Sequence, residues 1–193
     1  PPDTGPLVFT LTGADRAAAA ALLGEADGWP LAVLHPGAGG FSVARRWPAD
    51  RFATVARTLH KAGVRVVLVG GPDETALATE VAAGAEGGVT NLAGRTSLGA
   101  LGAVLERADV FVGNDSGVTH IAAAVGAPVV AVFGPTNADA WGPWTGGRSV
   151  ARVLRASLPC QPCVYRGRSL GMAQGCPART CLQLVTADQV AAA

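Results

Sequence analysis

A chain of 193 residues fits one domain, or one domain with an appendage, and its 26 glycines and 13 prolines suit many short loops. The formal net charge of +1 and the lack of a basic stripe argue against a nucleic-acid-binding surface. The longest apolar run, residues 121–133, is too short to span a bilayer, so no transmembrane segment is expected.

Regular elements alternate along the chain after a short N-terminal tail. Residues 1–6 are predicted to form a linker, residues 7–11 a short extended piece, and residues 12–23 an alanine-rich helix. The predicted strands span residues 31–35, 64–69, 89–92, 109–112 and 128–133. The predicted helices between them span residues 48–61, 73–83, 97–107 and 116–125.

The predicted strands are apolar on both faces, which is typical of a parallel sheet covered by helices on both sides. We therefore predict an α/β fold with a Rossmann-like doubly wound parallel sheet. Residues 1–30 form a linker and helix, residues 31–158 the Rossmann-like domain, and residues 159–193 a cysteine-containing tail and C-terminal segment. Right-handed crossovers place the carboxyl ends of all strands at one edge, where ligands of such sheets bind.

The segment DVFVGNDSGVTH, residues 109–120, is predicted to form a buried strand, a turn and the start of a helix. Asp115 or Ser116 is expected to cap this helix, whose opening N–H groups favour a phosphate or a carboxylate. Gly117 has no Cβ, so a ligand can approach the backbone there. His120 lies one turn beyond Ser116 and faces the same side. The alternative interpretation of this segment is an ordinary capped helix that follows a tight turn and binds no ligand.

The loop after the first strand adds positive charge. Its glycines, with Gly37 and Ala38 at the centre, allow backbone N–H groups to face an anion. Arg45 and Arg46 follow just before a helix, and arginine pairs well with phosphate. Together these groups can hold a diphosphate without a metal, whereas a solvated basic turn is the alternative interpretation.

Two further loops supply weaker candidates. Asp73 follows the second strand, where a carboxylate can accept from ribose hydroxyls, although a helix N-cap is an equally good interpretation. Thr96 follows the third strand and could contact the edge of a nucleobase. His35 is predicted only to end its strand. The G-x-S-x-G motif is absent around Ser116, which argues against a hydrolase.

All four cysteines lie near the C-terminus. Cys160, Cys163, Cys176 and Cys181 follow the pattern C-x2-C-x12-C-x4-C. This spacing resembles that of a small structural zinc site. Two disulfides or four free thiols remain alternatives. No cofactor is predicted for catalysis.

Several motifs together resemble glycosyltransferase family 9, the heptosyltransferases of lipopolysaccharide assembly. They are HPGAGG, RRWP, VVLVGGPDE, NLAGRTSL, GNDSGVTHIAAAVGAPVVAVFGPT and WGP, and the resemblance extends over about residues 31–181. It implies a GT-B enzyme with two Rossmann-like halves, of which the C-terminal half binds a nucleotide-sugar donor, typically ADP-heptose. It also implies that residues 31–158 form this nucleotide-sugar-binding domain.

The motifs and the resemblance together predict a set of donor-binding residues. The set comprises Gly37, Ala38, Arg45, Arg46, Asp73, Thr96, Asp115, Ser116, Gly117, Val118 and His120. The resemblance implies that Arg45 replaces a phosphate-binding lysine and that residues 115–118 contact the diphosphate and the sugar. It also implies that Asp73 binds the ribose and that Thr96 lies near the base.

The predicted function is donor binding in an inverting, metal-independent glycosyltransferase of lipopolysaccharide or cell-surface glycan assembly. The family's general base is an Asp of the N-terminal half, so no catalytic residue is assigned here beyond leaving-group stabilisation by Arg45 and Arg46. Alternatives are a non-catalytic nucleotide or sugar-phosphate module and an epimerase-like half.

The sequence begins without an initiator Met and has no secretory signal. We therefore expect a fragment of a cytoplasmic protein, at the inner membrane face, that is inactive alone. The resemblance implies that its missing N-terminal half binds a glycolipid acceptor.

Overall fold

A computed structural model describes residues 5, 7–24, 28–40, 43–147, 149–163 and 176–193. A six-stranded parallel sheet lies at the centre, in the order β3-β2-β1-β4-β5-β6. Its strands are β1 (Leu31–His35), β2 (Arg65–Leu68), β3 (Val89–Asn91), β4 (Val110–Asn114), β5 (Val129–Phe133) and β6 (Ala151–Arg155). This order is that of the doubly wound dinucleotide-binding fold, and it confirms the predicted fold class.

Helices cover both faces of the sheet. They are α1 (Gly13–Leu23), α2 (Ala49–Lys61), α3 (Thr75–Gly84), α4 (Leu98–Glu106), α5 (Gly117–Val125), α6 (Ala138–Trp141), α7 (Thr180–Gln183) and α8 (Ala187–Ala191). Short 3-10 turns at Val43–Arg45 and Pro72–Glu74 precede α2 and α3. None of the described helices is long and apolar enough to cross a bilayer.

Alternate residues of each strand enter two separate core layers, because successive side chains of a strand point to opposite faces. Val33 packs in the layer covered by α1, α4 and α5. Its neighbours Ala32 and Leu34 pack in the layer covered by α2, α3 and the C-terminal helices. Burial on both faces explains why β1 is apolar almost throughout.

The first five strands agree with the predicted ranges to within two residues, whereas β6 was not predicted. β6 forms the edge of the sheet and is only partly buried, so Arg152 and Arg155 interrupt its apolar pattern. Pro48 is the N-cap of α2 and not its first residue.

The C-terminal segment packs onto the same body as the sheet. Trp47 Nε1 donates to the carbonyl of Val185 at 3.0 Å, and Leu182 is fully buried. The helix α1 likewise contributes Ala19 and Leu23 to the core. The division into three parts at residues 30 and 158 stays a prediction.

Candidate functional site

The candidate site lies where the strand order reverses, between the adjacent strands β1 and β4. The helix that follows β1 covers one face of the sheet, and the helix that follows β4 covers the other. The connections after these two strands therefore diverge and leave a crevice at the carboxyl edge, which is the usual ligand site of an open α/β sheet. Arg45 and Arg46 come from the first connection, and Asp115 and Ser116 from the second.

Arg45 joins the two sides of this crevice. Its Nη1 lies 3.5 Å from Asp115 Oδ2, and its Nη2 donates to the carbonyl of Ala38 at 2.9 Å. Asp115 immediately precedes the amino terminus of α5. A guanidinium group and a helix amino terminus therefore lie at the same edge of the sheet, as the motifs predicted.

Arg46 lies beside Arg45 and approaches a second carboxylate. Its Nη2 is 4.0 Å from Glu74 Oε1. Its Nε is buried and has no hydrogen-bond partner among the described residues. A buried donor without an acceptor costs about 1–3 kcal/mol, so this group favours binding of an acceptor atom.

A buried chain of hydrogen bonds runs beneath the crevice. His35 Nε2 donates to Glu74 Oε2 at 2.9 Å, and His35 Nδ1 lies 3.2 Å from Ser116 Oγ. Ser116 Oγ is 3.3 Å from Thr119 Oγ1, which donates to the carbonyl of Asn114. All five residues are buried. The connections after β1, β2 and β4 are thus linked through side chains.

Glu74 extends this network of hydrogen bonds to the backbone. Its carboxylate also accepts from the backbone N–H groups of Gly39 and Gly71, each at 3.0 Å. A Cβ on Gly37 would overlap the same carboxylate, so only glycine fits there. Burial raises the pKa of Glu74, but the hydrogen bond and charge of His35, with the two N–H groups, outweigh burial and lower the pKa from 4.5 to about 2.

Asn114 fixes the connection after β1 against the end of β4. Its Nδ2 donates to the carbonyls of Pro36 and Gly37 at 2.8 and 2.9 Å, and its Oδ1 accepts from Trp47 N at 3.0 Å. The side chain is fully buried and uses both donors and its acceptor. The glycine loop and the segment that carries the arginines are therefore held in one arrangement.

The expectation that Ser116 caps α5 with its side chain is wrong. Ser116 occupies the N-cap position with an extended backbone, φ −155° and ψ 164°, but its side chain makes no capping hydrogen bond. The hydroxyl instead contacts His35 and Thr119. Asp115, the other predicted cap, lies one residue before the N-cap and pairs with Arg45.

The remaining predicted site residues surround this centre. Asp73 is exposed in the turn after β2, Thr96 is half-buried after β3, and His120 is half-buried on α5. Gly117 and Val118 form the first turn of α5. These placements agree with a shared edge of the sheet, while the roles of the residues stay predictions.

Sequence reasoning missed Glu74 and Asn114 and underrated His35. A partial signal for Glu74 was present, since a glutamate at the third helical position can accept from the N-cap backbone N–H, and Glu74 does so from Gly71 N. His35 and Asn114 are polar residues that end buried strands at the ligand-binding edge. That position was the available signal for both.

The four cysteines are free thiols in this structure. The alternative in which they form two disulfides is therefore not seen. Burial, followed by the nearby thiols of Cys160 and Cys176, raises the pKa of Cys163. Within the described ranges, no group of three or more His, Cys, Asp or Glu side chains is placed to hold a metal ion. The structural zinc site therefore stays a prediction.

Comparisons with known proteins identify relatives of this chain. The model of glycosyltransferase family 9 (heptosyltransferase) matches residues 3–173. Lipopolysaccharide heptosyltransferase 3 of Escherichia coli K12 is 44% identical over 102 residues, which cover 51% of this chain and 30% of that protein. Lipooligosaccharide heptosyltransferase 2 of Haemophilus influenzae is 33% identical over 142 residues, which cover 72% of this chain and 40% of that protein.

Solved structures agree with these sequence matches. The ADP-heptose LPS heptosyltransferase II of Escherichia coli superposes with a TM-score of 0.75 at 25% identity, covering 96% of this chain and 51% of that one. A family 9 glycosyl transferase of Veillonella parvula gives a TM-score of 0.69 at 27% identity, covering 78% of this chain and 43% of that one. This chain thus spans about a third to a half of the length of these relatives. Since the family model matches most of its residues, the chain belongs to glycosyltransferase family 9, the heptosyltransferase family.

Proposed function

We propose that this chain is the donor-binding part of a glycosyltransferase that uses a nucleotide diphospho-sugar of the ADP-heptose type. The observation that carries the proposal is the Arg45–Asp115 contact, which puts a guanidinium beside the amino terminus of α5 at the switch point of the sheet. The name of the relative with the TM-score of 0.75 includes ADP-heptose, and this relative matches nearly the whole chain.

The proposed diphosphate lies between the two arginines and the first turn of α5. Two charge-assisted hydrogen bonds contribute about 3–6 kcal/mol together, and the helix terminus adds about 0.3–1 kcal/mol. These contributions correspond to a dissociation constant between roughly millimolar and ten micromolar. The Nε of Arg46, which lacks an acceptor among the described residues, supplies an additional donor.

The proposed reaction is inverting transfer without a metal. A base outside this chain removes the proton from the acceptor hydroxyl, and Arg45 and Arg46 stabilise the charge that develops on the departing diphosphate. Asp73 is proposed to accept from the ribose hydroxyls, and Thr96 to lie near the base. A glycolipid of the lipopolysaccharide pathway is the proposed acceptor, held by another domain at the cytoplasmic face of the inner membrane.

Calorimetric titration of the 193-residue chain with ADP, AMP, UDP and GDP tests this proposal. We expect ADP to bind in the range given above and AMP to bind at least about tenfold more weakly, because AMP lacks the second phosphate. Omitting added Mg²⁺ and other divalent cations should leave the affinity for ADP unchanged. The absence of ADP binding, or equal affinities for ADP and AMP, would refute a diphosphate site.

We propose separately that the four cysteines bind a structural zinc ion. Four sulfur ligands suit tetrahedral zinc. Burial, followed by the neighbouring thiols, raises the pKa of Cys181, so zinc has to displace a tightly held proton there. Binding requires the four thiols to close around the ion. Elemental analysis is expected to give one zinc per chain, with four thiols becoming reactive only after chelation. A metal-free protein with four reactive thiols would rule the site out.

A further inference from the structure

We infer that His35 and Glu74 are positioning residues that hold the Ser116 hydroxyl away from the amino terminus of α5. In this position the hydroxyl leaves the opening N–H groups of the helix available to a diphosphate. The inference rests on the proposed function, because it concerns how the same site is kept ready for its ligand. Neither His35 nor Glu74 needs to touch that ligand.

The first observation is that Ser116 departs from the behaviour of similar residues in this chain. Side chains of the N-cap residues of α1, α4, α6 and α8 all accept from backbone N–H groups of their own helices. In α4, for example, Ser97 accepts from Ala100 N at 3.1 Å. The backbone of Ser116 is also extended, but its φ of −155° differs from the −68° to −90° of those four N-cap residues, and its side chain makes no such bond. Serine is a favourable N-cap, so its failure to cap needs a specific cause.

The hydrogen-bond partners of Ser116 supply that cause. Thr119 gives its only hydroxyl hydrogen to the carbonyl of Asn114, so Thr119 Oγ1 can only accept from Ser116. The single hydrogen of Ser116 can be donated to Thr119 Oγ1, 3.3 Å away, or to His35 Nδ1, 3.2 Å away, and both contacts keep the Ser116 oxygen beside the imidazole. The oxygen that would otherwise cap α5 is therefore held by a buried imidazole.

Glu74 keeps this imidazole in place. Its carboxylate accepts from His35 Nε2 at 2.9 Å and is itself held by the N–H groups of Gly39 and Gly71. His35 has only 1% of its surface exposed, so its ring is enclosed on all sides. The orientation of Nδ1 toward Ser116 thus depends on a partner on a different connection of the sheet.

The space in front of the helix agrees with this arrangement. Apart from its two chain neighbours and the backbone of α5 itself, no heavy atom of the described residues lies within 4 Å of a Cβ built on Gly117. No described side chain caps the first turn, and Arg45 lies beside Asp115 at the same place. Uncapped N–H groups, open space and a guanidinium together suit an anion that replaces the missing cap.

Two substitutions at His35 separate positioning from simple structural support. In His35→Gln the amide reaches the place of Nε2, so the Glu74 bond is retained and the Ser116 bond is lost. In His35→Asn the amide reaches the place of Nδ1, so Ser116 is retained and Glu74 loses its partner. We expect His35→Gln to keep its melting temperature and to bind ADP about 3- to 30-fold more weakly, the factor that a competing side-chain cap corresponds to.

His35→Asn is expected to show the opposite pattern. Its melting temperature should fall by several degrees, while its affinity for ADP stays within about twofold of the unsubstituted chain. In the His35→Gln background, the additional change Ser116→Ala removes the competing hydroxyl. The double variant should therefore bind ADP as well as Ser116→Ala alone.

The outcomes are distinguishable from a failure of the proposed function. If the unsubstituted chain does not bind ADP, the donor site itself is refuted. If it binds ADP but the affinities of both His35 variants follow their melting temperatures, His35 is only structural and the inference is overturned. Additive losses in His35→Gln and Ser116→Ala would overturn it as well, because the second change would then have removed no competitor.

Discussion

Replacing Glu74 with alanine is expected to lower the free energy of unfolding by about 3–5 kcal/mol, the usual cost of removing one partner of a buried charged pair. The change leaves His35 without its 2.9 Å partner and removes the acceptor of Gly39 N and Gly71 N. Domains of this size have about 5–15 kcal/mol of stability in total, so the loss is a large fraction. Urea unfolding followed by circular dichroism measures it.

The stabilisation by Glu74 should also depend on pH in a defined direction. Its pKa is lowered from 4.5 to about 2 in the folded chain, so the unfolded chain binds its proton first as the pH falls. The stabilisation is therefore complete above pH 4.5 and is lost as the pH falls toward 2. The difference in unfolding free energy between the unsubstituted chain and Glu74→Ala should shrink over that range.

Glu86→Ala is the matched control for Glu74→Ala. The Glu86 side chain is 71% exposed and pairs with Arg57 Nη1 at 3.2 Å on the surface. Exposed pairs of this kind contribute about 0–1 kcal/mol, so the control should change stability little. A Glu74→Ala variant no less stable than Glu86→Ala would show that the buried carboxylate does not support the fold.

Reversing the charge at Arg45 is expected to abolish ADP binding. Arg45→Glu removes a charge-assisted contact of about 1.5–3 kcal/mol and places a second carboxylate next to Asp115, whose Oδ2 is 3.5 Å from the guanidinium. The lost contact weakens the attraction for a diphosphate, and the added negative charge repels it. Together these changes correspond to roughly a 100-fold loss of affinity or more. Calorimetric titration with ADP, after a melting curve has established folding, measures this effect.

Arg107→Glu makes the same charge change at the opposite edge of the sheet. Arg107 is the C-cap of α4, just before β4 begins, so it lies far from the carboxyl ends of the strands. Its variant should bind ADP within about twofold of the unsubstituted chain, because exposed charges beyond about 10 Å are largely screened. Equal affinities in Arg45→Glu and Arg107→Glu would remove Arg45 from the site.

Continuous apolar runs were sufficient to predict β1 through β5, because parallel strands covered on both faces need apolar residues at nearly every position. β6 lacks this pattern. Among the described residues it pairs with β5 alone and is partly exposed, so it tolerates arginines at two of its five positions. β6 forms a strand because it pairs with β5, and this pairing cannot be predicted from the residues of β6 alone.

Within the site, the spacing of residues likewise did not predict which of two adjacent carboxylates is buried. Asp73 and Glu74 both follow β2. In the folded chain Asp73 is exposed, and Glu74 enters the space that Gly37 leaves free. Only the close approach of two connections settles this difference.

The sequence by itself determined the order of the elements, the parallel sheet and the edge at which its glycine-rich and charged loops meet, since these depend on local periodicity and on general rules of chain crossover. The tertiary structure alone decided that His35 bonds to partners 39 and 81 positions away, Glu74 and Ser116. A hydrogen bond between distant residues depends on the packing of whole elements, and that packing leaves Ser116 as an N-cap residue whose side chain does not cap its helix.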